Sequence, residues 1–297
     1  MILFLDRISF SVNIWNSLKI IFADIKIHHT VFALPFAVMS AFLAAGGWPN
    51  GMVLFWIVVA MFGARNAAMA FNRLMDARFD GLNPRTLGRA IPAGKVSPVV
   101  YWFFLFVSSG LLVFASYMLN PLAFYLSPVA LILVFFYSLT KRFTSYSHFW
   151  LGLAISAAPV GAWVAVRQEI SLTSLLLGAA VVFWLAGFDV IYSCQDAVSD
   201  EKNDLYSIPR RFGVGQALKL AGIFHAIMIV FLLALWREPL LDWLYLVGVA
   251  GAALLLCYEH SLVKADDLSK VNVAFFNVNG CLSVILMILV ITDCVWI

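Results

Sequence analysis

Two short polar segments carry residues whose types and spacing could bind a cation or an anion. In the first, Asn72, Asp76 and Asp80 recur at every fourth position, so on a helix their oxygen-bearing side chains share one face. The second segment, residues 189–200, has a similar spacing, and its polar candidates are Asp189, Tyr192, Asp196 and Asp200. Each segment alone could be a solvated helix end with local salt bridges, but together they suggest a site.

The residue types favour a metal-bridged anion. Carboxylates that converge repel each other unless a cation lies between them. Hard oxygen ligands supplied in pairs, with room for water and phosphate oxygens, suit Mg²⁺. Basic side chains are interleaved with the acids, which favours a cation bridging a diphosphate over a cation bound alone. These bases are Arg73, Arg85, Arg89, Lys141, Arg142, Lys202 and Arg210.

The remainder of the chain is strongly apolar. Of its 297 residues 63% are hydrophobic and 12% are charged, and the mean hydropathy is +0.96. A soluble domain carries about twice this charged fraction. Continuous apolar stretches of roughly 20 residues recur, each long enough to cross a hydrocarbon core of about 30 Å. The pattern predicts membrane-spanning helices rather than a barrel, because apolar and polar residues do not alternate.

We therefore expect an all-α polytopic membrane protein with nine transmembrane helices around a central cavity. An amphipathic interfacial segment, residues 1–29, precedes a single transmembrane domain over residues 30–297. The predicted spans are 30–47, 52–72, 98–118, 121–138, 148–166, 172–192, 216–236, 240–258 and 273–294. Four scattered cysteines without a CxxC pair suggest neither a zinc site nor a redox motif.

The loop charges predict an orientation. Sixteen lysines and arginines fall on the side of the N-terminus and two, Arg167 and Arg237, on the other. Positive residues accumulate in the cytoplasm, so the N-terminus and both polar segments are expected there, with the C-terminus outside. A polar segment ends the second predicted span and another ends the sixth. This arrangement indicates two four-helix pseudo-repeats plus one helix, with the two segments facing each other across the cavity.

The motifs resemble those of a known family. Asn72-x3-Asp76-x3-Asp80, continuing through Asn83-Pro84-Arg85-Thr86, is similar to the first signature of the UbiA-type membrane prenyltransferases. Asp189-x2-Tyr192-x3-Asp196-x3-Asp200, followed by Ser207-x-Pro209-x2-Phe212-Gly213, resembles their second. With the nine-span layout, the resemblance covers nearly the whole chain. The variants of both motifs look most like those of bacterial 4-hydroxybenzoate polyprenyltransferase-like members.

The resemblance implies Mg²⁺-dependent transfer of a polyprenyl group from its diphosphate to an aromatic acid. The residues that it implies as metal ligands are Asn72, Asp76, Asp80, Asp196 and Asp200. It also implies that Lys141 and Arg142 contact the diphosphate and that Tyr137 and Ser138 lie near the reacting centre. The further residues expected to bind substrate are Arg65, Arg85, Arg89, Tyr192, Lys202 and Arg210.

Several polar residues have two interpretations. Arg65 shares the face of Asn72 and Asp76, and it either contacts a substrate anion or is a paired structural charge. Lys26, His28 and His29 either lie at the membrane interface or bind a substrate. His148, His225 and His260 lack metal-ligand spacing, and Asn277 and Asn279 are expected to join helices. Glu259 and His260 are expected in a solvated cytoplasmic loop.

The predicted function is prenylation of 4-hydroxybenzoate in ubiquinone biosynthesis, in a bacterial inner membrane. The alternatives are the same reaction on a naphthoate for menaquinone and, in another class, a cation-coupled transporter. The expected partners are the polyprenyl diphosphate, the aromatic acid and the lipid bilayer, with no nucleic acid. The acceptor, the prenyl chain length and the oligomeric state stay open at this level.

Overall fold

A computed structural model describes residues 14–25 and 33–296, and within them it contains helices and no β-strand. The helices are α1 (Ile14–Asp24), α2 (Leu34–Ala45), α3 (Gly51–Asp80), α4 (Pro98–Leu119), α5 (Pro121–Thr140), α6 (Ser147–Arg167), α7 (Leu172–Ser193), α8 (Ala197–Lys202), α9 (Ile208–Phe212), α10 (Val214–Leu235), α11 (Trp243–Leu262) and α12 (Asn279–Trp296). A 3₁₀ turn, Cys194–Asp196, joins α7 to α8, and a π-helical turn, Val273–Val278, leads into α12.

Within the described residues, eight helical segments are long and apolar enough to cross a membrane. They are α3 to α6, the continuous stretch Leu172–Lys202, α10, α11 and the stretch Val273–Trp296. The expected first span, 30–47, contains α2, which is apolar but has only 12 residues, and residues 30–32 lie outside the described part. The prediction of an all-helical, polytopic integral membrane protein is confirmed.

Short polar caps define where the spans begin. The Asn120 side chain ends α4 and accepts a hydrogen bond of 2.8 Å from Ala123 N in the first turn of α5. Its amide also donates to Val164 O at 2.9 Å, which ties this turn to the end of α6. Pro121 follows as the first residue of α5, a position where the missing N–H costs nothing. One asparagine therefore separates two spans and anchors them to a third.

Helix packing is close at small residues. A Cβ added to Gly63 of α3 would lie 2.7 Å from the backbone nitrogen of Leu112 in α4. A Cβ added to Gly152 of α6 would lie 2.6 Å from the carbonyl oxygen of Val182 in α7. Glycine at these positions lets the backbones approach, as is common for helices in membranes. The largest buried cluster surrounds Trp184 on α7 and includes residues of α2, α10, α11 and α12.

Helix length brings the two polar segments to one end of the bundle. α3 has 30 residues, so it is about 45 Å long and extends beyond a hydrocarbon core of about 30 Å. Its last three turns carry the first polar segment. The second begins in the last turn of α7 and continues through the 3₁₀ turn into α8. α3 is the second of the apolar helices α2–α5, and α7 is the second of the set α6, α7, α10 and α11.

One expectation about α11 is wrong. Glu259 and His260 were expected in a solvated loop, but α11 continues to Leu262 and Glu259 is completely buried. Its carboxylate accepts a hydrogen bond of 2.9 Å from the Asn279 amide, and Asn279 in turn accepts one of 2.7 Å from the Trp184 indole. The expectation that Asn279 joins helices is confirmed. α1 falls inside the predicted interfacial segment 1–29, whose location on the membrane stays a prediction.

Candidate active site

A polar cavity of about 240 Å³ lies among the ends of α3, α5 and α7, and both polar segments line it. The sequence-predicted residues found in its lining are Asn72, Asp76, Asp80, Arg85, Arg89, Tyr137, Ser138, Lys141, Arg142, Asp189, Tyr192, Asp196 and Asp200. The fold therefore brings together residues that are far apart in the chain. The expected placement of the two segments opposite each other across a cavity is observed.

The acids of the first segment are each engaged by a neighbouring group. The Asn72 amide donates to Asp76 Oδ2 at 2.7 Å, one helical turn later. The guanidinium of Arg142, beyond the end of α5, lies 3.7 Å from Asp76 Oδ1. Arg89, in the loop after α3, donates to both carboxylate oxygens of Asp80 at 2.6 and 2.7 Å. The expected bases and acids are thus partners within one cluster.

Arg85 connects the two segments. Its Nε and Nη2 donate to the two oxygens of Asp196 at 2.9 and 2.5 Å, and Nη1 donates to the Tyr192 hydroxyl at 2.9 Å. Asn83 adds a hydrogen bond of 3.2 Å to Asp196 Oδ1. Burial lowers the pKa of Arg85, but the hydrogen bond and charge of Asp196 outweigh burial and hold that pKa above its ordinary value. The loop after α3 is therefore docked on the end of α7 by a charge-assisted fork.

Lys141 supplies a positive charge at the centre of the cluster. It follows the last residue of α5 and lines the cavity. Burial lowers the pKa of the Lys141 ammonium, but the surrounding carboxylates, Asp200 and Asp189 foremost, outweigh burial and raise that pKa above its ordinary value. The side chain therefore stays charged at neutral pH and offsets the repulsion among the acids.

The donor set fits a hard divalent cation. Asp200 is only 4% exposed, and its Oδ2 is buried without a hydrogen-bond partner among the described residues. A carboxylate oxygen in that state is costly unless a ligand satisfies it. Within residues 14–25 and 33–296, no three acidic, histidine or cysteine side chains already converge as a formed metal site. The oxygens are of the right kind, and several of them are bonded to arginines instead.

A second, apolar cavity of about 710 Å³ adjoins the polar one. Tyr137, Leu151 and Asp189 line both, so the two cavities share a wall. Residues of α3 to α7 form most of the apolar lining, and Arg65 of α3 is a cationic member of it. Arg65 Nε is buried without a hydrogen-bond partner in the described structure. No salt bridge of Arg65 is found among the described residues, so the interpretation as a paired structural charge is not supported. The environment is consistent with the other interpretation, in which Arg65 contacts a substrate anion.

Two predicted substrate ligands do not reach the cavity. Lys202, at the end of α8, is exposed to solvent. Arg210 is directed elsewhere, since its Nη1 donates to Leu205 O at 2.7 Å and its Nη2 lies 3.2 Å from Asp204. The physical reason is that both side chains have other surroundings, solvent for Lys202 and the Leu205 carbonyl with the Asp204 carboxylate for Arg210. Lys26, His28 and His29 lie outside the described residues.

The sequence did not predict a buried hydrogen-bond network centred on Asp24, next to the first polar segment. Asp24 of α1 accepts hydrogen bonds from Arg73 Nε at 3.0 Å, the Tyr101 hydroxyl at 2.7 Å and Ala90 N at 3.0 Å. Arg73 Nη1 then donates to Asn72 Oδ1 at 3.0 Å. One acid therefore joins α1, α3, α4 and the loop after α3. Asp24 occupies an amphipathic helix, where a single acid reads as solvated, so its sequence context gave no signal.

His148 is also more specific than expected. It is completely buried on α6, and its Nδ1 lies 2.6 Å from Asp189 Oδ2. Asp189 therefore lines both cavities while its Oδ2 is paired with His148. The absence of metal-ligand spacing among the histidines could not reveal a pairing with an aspartate 41 residues away.

Chemically, the paired cavities suit an amphiphile with a polyanionic head. Cationic side chains and carboxylates line one cavity, and mostly apolar side chains line the other. Tyr137 stands where the two meet.

Comparison with known proteins gives consistent results. A family model described as the UbiA prenyltransferase family matches residues 33–281. The 4-hydroxybenzoate octaprenyltransferase of Methylobacillus flagellatus is 31% identical over 239 residues, which is 80% of either chain. The structure of a UbiA homolog from Aeropyrum pernix K1 without ligand is 32% identical, has a TM-score of 0.82, and the match covers 90% of this chain and 98% of that one. A UbiA homolog from Archaeoglobus fulgidus bound to DMAPP and Mg²⁺ shares the fold at 19% identity, with a TM-score of 0.68 and coverage of 93% and 99%.

Proposed function

Because the chain belongs to the UbiA prenyltransferase family, we propose that it transfers a polyprenyl group from polyprenyl diphosphate to 4-hydroxybenzoate, in ubiquinone biosynthesis. One observation carries the proposal: the two polar segments line a polar cavity that shares Tyr137 and Asp189 with an apolar cavity. The name of the Methylobacillus flagellatus relative supports the choice of acceptor.

The polar cavity would hold the diphosphate of the donor. The residues that would hold Mg²⁺ there are Asn72, Asp76, Asp80, Asp196 and Asp200, whose oxygens suit that ion. The bound metal would supply positive charge that stabilises the departing diphosphate. The ligand of the Archaeoglobus fulgidus homolog, DMAPP with Mg²⁺, supports this assignment.

The basic residues would bind the same phosphate oxygens. Arg85 and Arg89 neutralise Asp196 and Asp80 across short ion pairs. A diphosphate that enters with its cation offers these guanidinium groups an alternative bidentate partner and leaves the carboxylates for the cation. Lys141 and Arg142 line the other side of the cavity, so positive charge surrounds the leaving group. Such preorganised charge lowers the barrier to breaking the allylic C–O bond.

The apolar cavity would hold the prenyl chain. When the C–O bond breaks, its electron pair leaves with the diphosphate and an allylic cation remains. A cavity lined by apolar side chains limits the water that could capture that cation. The aromatic acceptor then forms a carbon–carbon bond to the allylic carbon and loses a ring proton. Tyr137 lies at the boundary between the cavities, where the reacting carbon would be, and the neighbouring Ser138 lines the polar cavity.

Arg65 would bind the acceptor's carboxylate. It lies in α3 within the apolar cavity and its Nε has no described partner. A guanidinium binds a carboxylate with good geometry, and burial strengthens the pair. The same group would serve a naphthoate, so prenylation of a naphthoate for menaquinone is the alternative. The transporter hypothesis requires acids near the bilayer midplane, whereas these acids lie at helix ends.

We also propose that the polar cavity faces the cytoplasm of a bacterial cell and that the bilayer is its inner membrane. Sixteen lysines and arginines fall on the side of the N-terminus and two on the other. The C-terminus would then lie outside.

An acceptor comparison tests the proposal. The purified protein, reconstituted in liposomes with a polyprenyl diphosphate and Mg²⁺, is given either 4-hydroxybenzoate or a dihydroxynaphthoate, and products are measured by mass spectrometry. Prenylated 4-hydroxybenzoate is expected. If only the naphthoate is prenylated, the proposed acceptor is wrong and the proposed reaction class is retained.

A further inference from the structure

The π-helical turn Val273–Val278 brings an aromatic ring to the boundary of the site. π-Turns are rare and occur frequently at functional sites. Phe275, within this turn, lines the apolar cavity. Its ring centroid lies 4.3 Å from that of Tyr192 and 5.0 Å from that of Phe188. Tyr192 is in turn bonded to Arg85, so Phe275 contacts the wall of the polar cavity from the apolar side.

A buried polar triad holds the turn. The Asn279 amide donates to the carbonyl oxygens of Ala274 at 3.1 Å and Phe275 at 3.3 Å, both within the turn. The same amide donates to Glu259, and its oxygen accepts from Trp184. Asn279, Glu259 and Trp184 are each completely buried.

The triad does more than join helices. A polar side chain inside a membrane bundle is costly, and a hydrogen bond between helices would explain only the contacts to Glu259 and Trp184. The two bonds to the carbonyls of Ala274 and Phe275 are local. A widened turn departs from the regular backbone ladder, so a side-chain donor at this point stabilises the turn itself. Glu259 Oε2 is buried without a hydrogen-bond partner in the described part of the chain.

We propose that Phe275 is a substrate-contacting residue that covers the allylic end of the prenyl chain, and that the triad of Trp184, Asn279 and Glu259 positions it. This proposal rests on the proposed prenyl transfer. The face of an aromatic ring stabilises a nearby cation, and a well-placed ring also excludes water. Without it, water forms a C–O bond to the allylic carbon, loses a proton to the medium and yields a prenyl alcohol instead of the prenylated acceptor.

The test measures how released diphosphate is divided between products. Purified protein in liposomes receives polyprenyl diphosphate, Mg²⁺ and the acceptor, and diphosphate, prenylated acceptor and prenyl alcohol are quantified together. In Phe275→Leu, the ratio of prenylated acceptor to diphosphate is expected to fall by about threefold, because the smaller side chain leaves room for water beside the allylic carbon, with a matching rise in alcohol. The control is Phe103→Leu on α4, because Phe103 is 70% exposed on the outside of the helix bundle; it should keep the wild-type ratio.

The positioning role is tested separately. Trp184→Phe removes one hydrogen bond to Asn279 and keeps an aromatic ring, and Glu259→Gln keeps an oxygen that can accept from the Asn279 amide. Trp184→Phe should shift the product ratio in the same direction as Phe275→Leu. Glu259→Gln should keep the wild-type ratio. An unchanged ratio in Trp184→Phe would remove the positioning role.

An unchanged ratio in Phe275→Leu would overturn the proposal as a whole. Failure of the proposed function gives a different result, because the wild-type protein itself would then release no diphosphate.

Discussion

Arg85 and Asp196, 111 residues apart in the chain, form a two-pronged ion pair with N···O distances of 2.9 and 2.5 Å. The pair joins the loop after α3 to the end of α7 and places the two polar segments on the same cavity. It also neutralises an acid that sequence reasoning assigned to metal binding. The site is therefore a network of compensated charges, and a metal–diphosphate ligand would have to rearrange it.

Replacing Arg85 should weaken catalysis more than its partial exposure suggests. Arg85→Ala removes a donor to the leaving group and should lower kcat/KM for the prenyl diphosphate by about 10²-fold or more. Arg85→Lys keeps the charge but loses the fork, so it should be intermediate. The measurement is steady-state diphosphate release at varied donor concentration. Arg211→Ala is the matched control, because Arg211 is exposed and its guanidinium lies over the Tyr146 and Phe212 rings; an equal loss there would contradict the assignment.

At every pH below its raised pKa, Lys141 should carry the positive charge that offsets the surrounding carboxylates. Burial lowers the pKa of Lys141, but Asp200 and the other carboxylates more than offset this and raise it. The stabilisation from its charge is thus fully present below the pKa of an unfolded lysine and is lost only as pH rises through the higher folded value.

Lys141→Met should therefore reduce diphosphate release at every pH between about 7 and 10. Lys95→Met, at an exposed lysine in the loop after α3, should have no such effect. If the wild-type rate of diphosphate release already falls by pH 8, and the pH profile of Lys141→Met has the same shape, then the charge of Lys141 does not control the rate.

Arg65 should affect the acceptor and leave the donor unchanged. Arg65→Met removes the cationic group from the apolar cavity and should raise the KM of the aromatic acid by about 10- to 100-fold, the cost of one charge-assisted contact of about 1.5–3 kcal/mol. Its effect on the donor KM should be small. Kinetics with each substrate varied in turn separate the two. A change confined to the donor KM would instead place Arg65 at the diphosphate.

The Asp24–Arg73 pair should stabilise the folded protein. Both side chains are buried, with Nε and Oδ2 3.0 Å apart. Asp24→Ala leaves Arg73 buried without its counter-charge and should lower the free energy of unfolding by about 3–5 kcal/mol. The double variant Asp24→Ala/Arg73→Met removes both charges and should recover part of that loss. Thermal unfolding in detergent measures all three, and a double variant less stable than Asp24→Ala would argue against charge pairing as the cause.

The membrane architecture and most of the site could be predicted from the sequence. Long apolar runs reveal spans directly, and the spacing of Asn72, Asp76 and Asp80 places them on one helix face, which α3 confirms. The span containing α11 was drawn too short because Glu259 looks like a loop residue. Its burial depends on Asn279 and Trp184, which come from other helices, and no local pattern encodes that contact.

The pairing of charges could not be predicted. Composition suggested that bases and acids surround a ligand, but which base meets which acid depends on loop conformation after α3 and α7. Asp24 was missed because its three donors come from distant residues. Arg210 lies in a motif that resembles the family's second signature, yet its guanidinium is bonded to the Leu205 carbonyl and to Asp204.

The central claim is that both polar segments bind one metal–diphosphate group. It is tested most directly by Mg²⁺-dependent release of diphosphate from a polyprenyl diphosphate by the wild-type protein and by Asp76→Ala and Asp196→Ala, with circular dichroism to verify folding. We expect release by the wild-type protein that requires Mg²⁺, and a loss of about 10²-fold or more in each folded variant. Full activity in either variant, or release by the wild-type protein in excess chelator, would contradict the account.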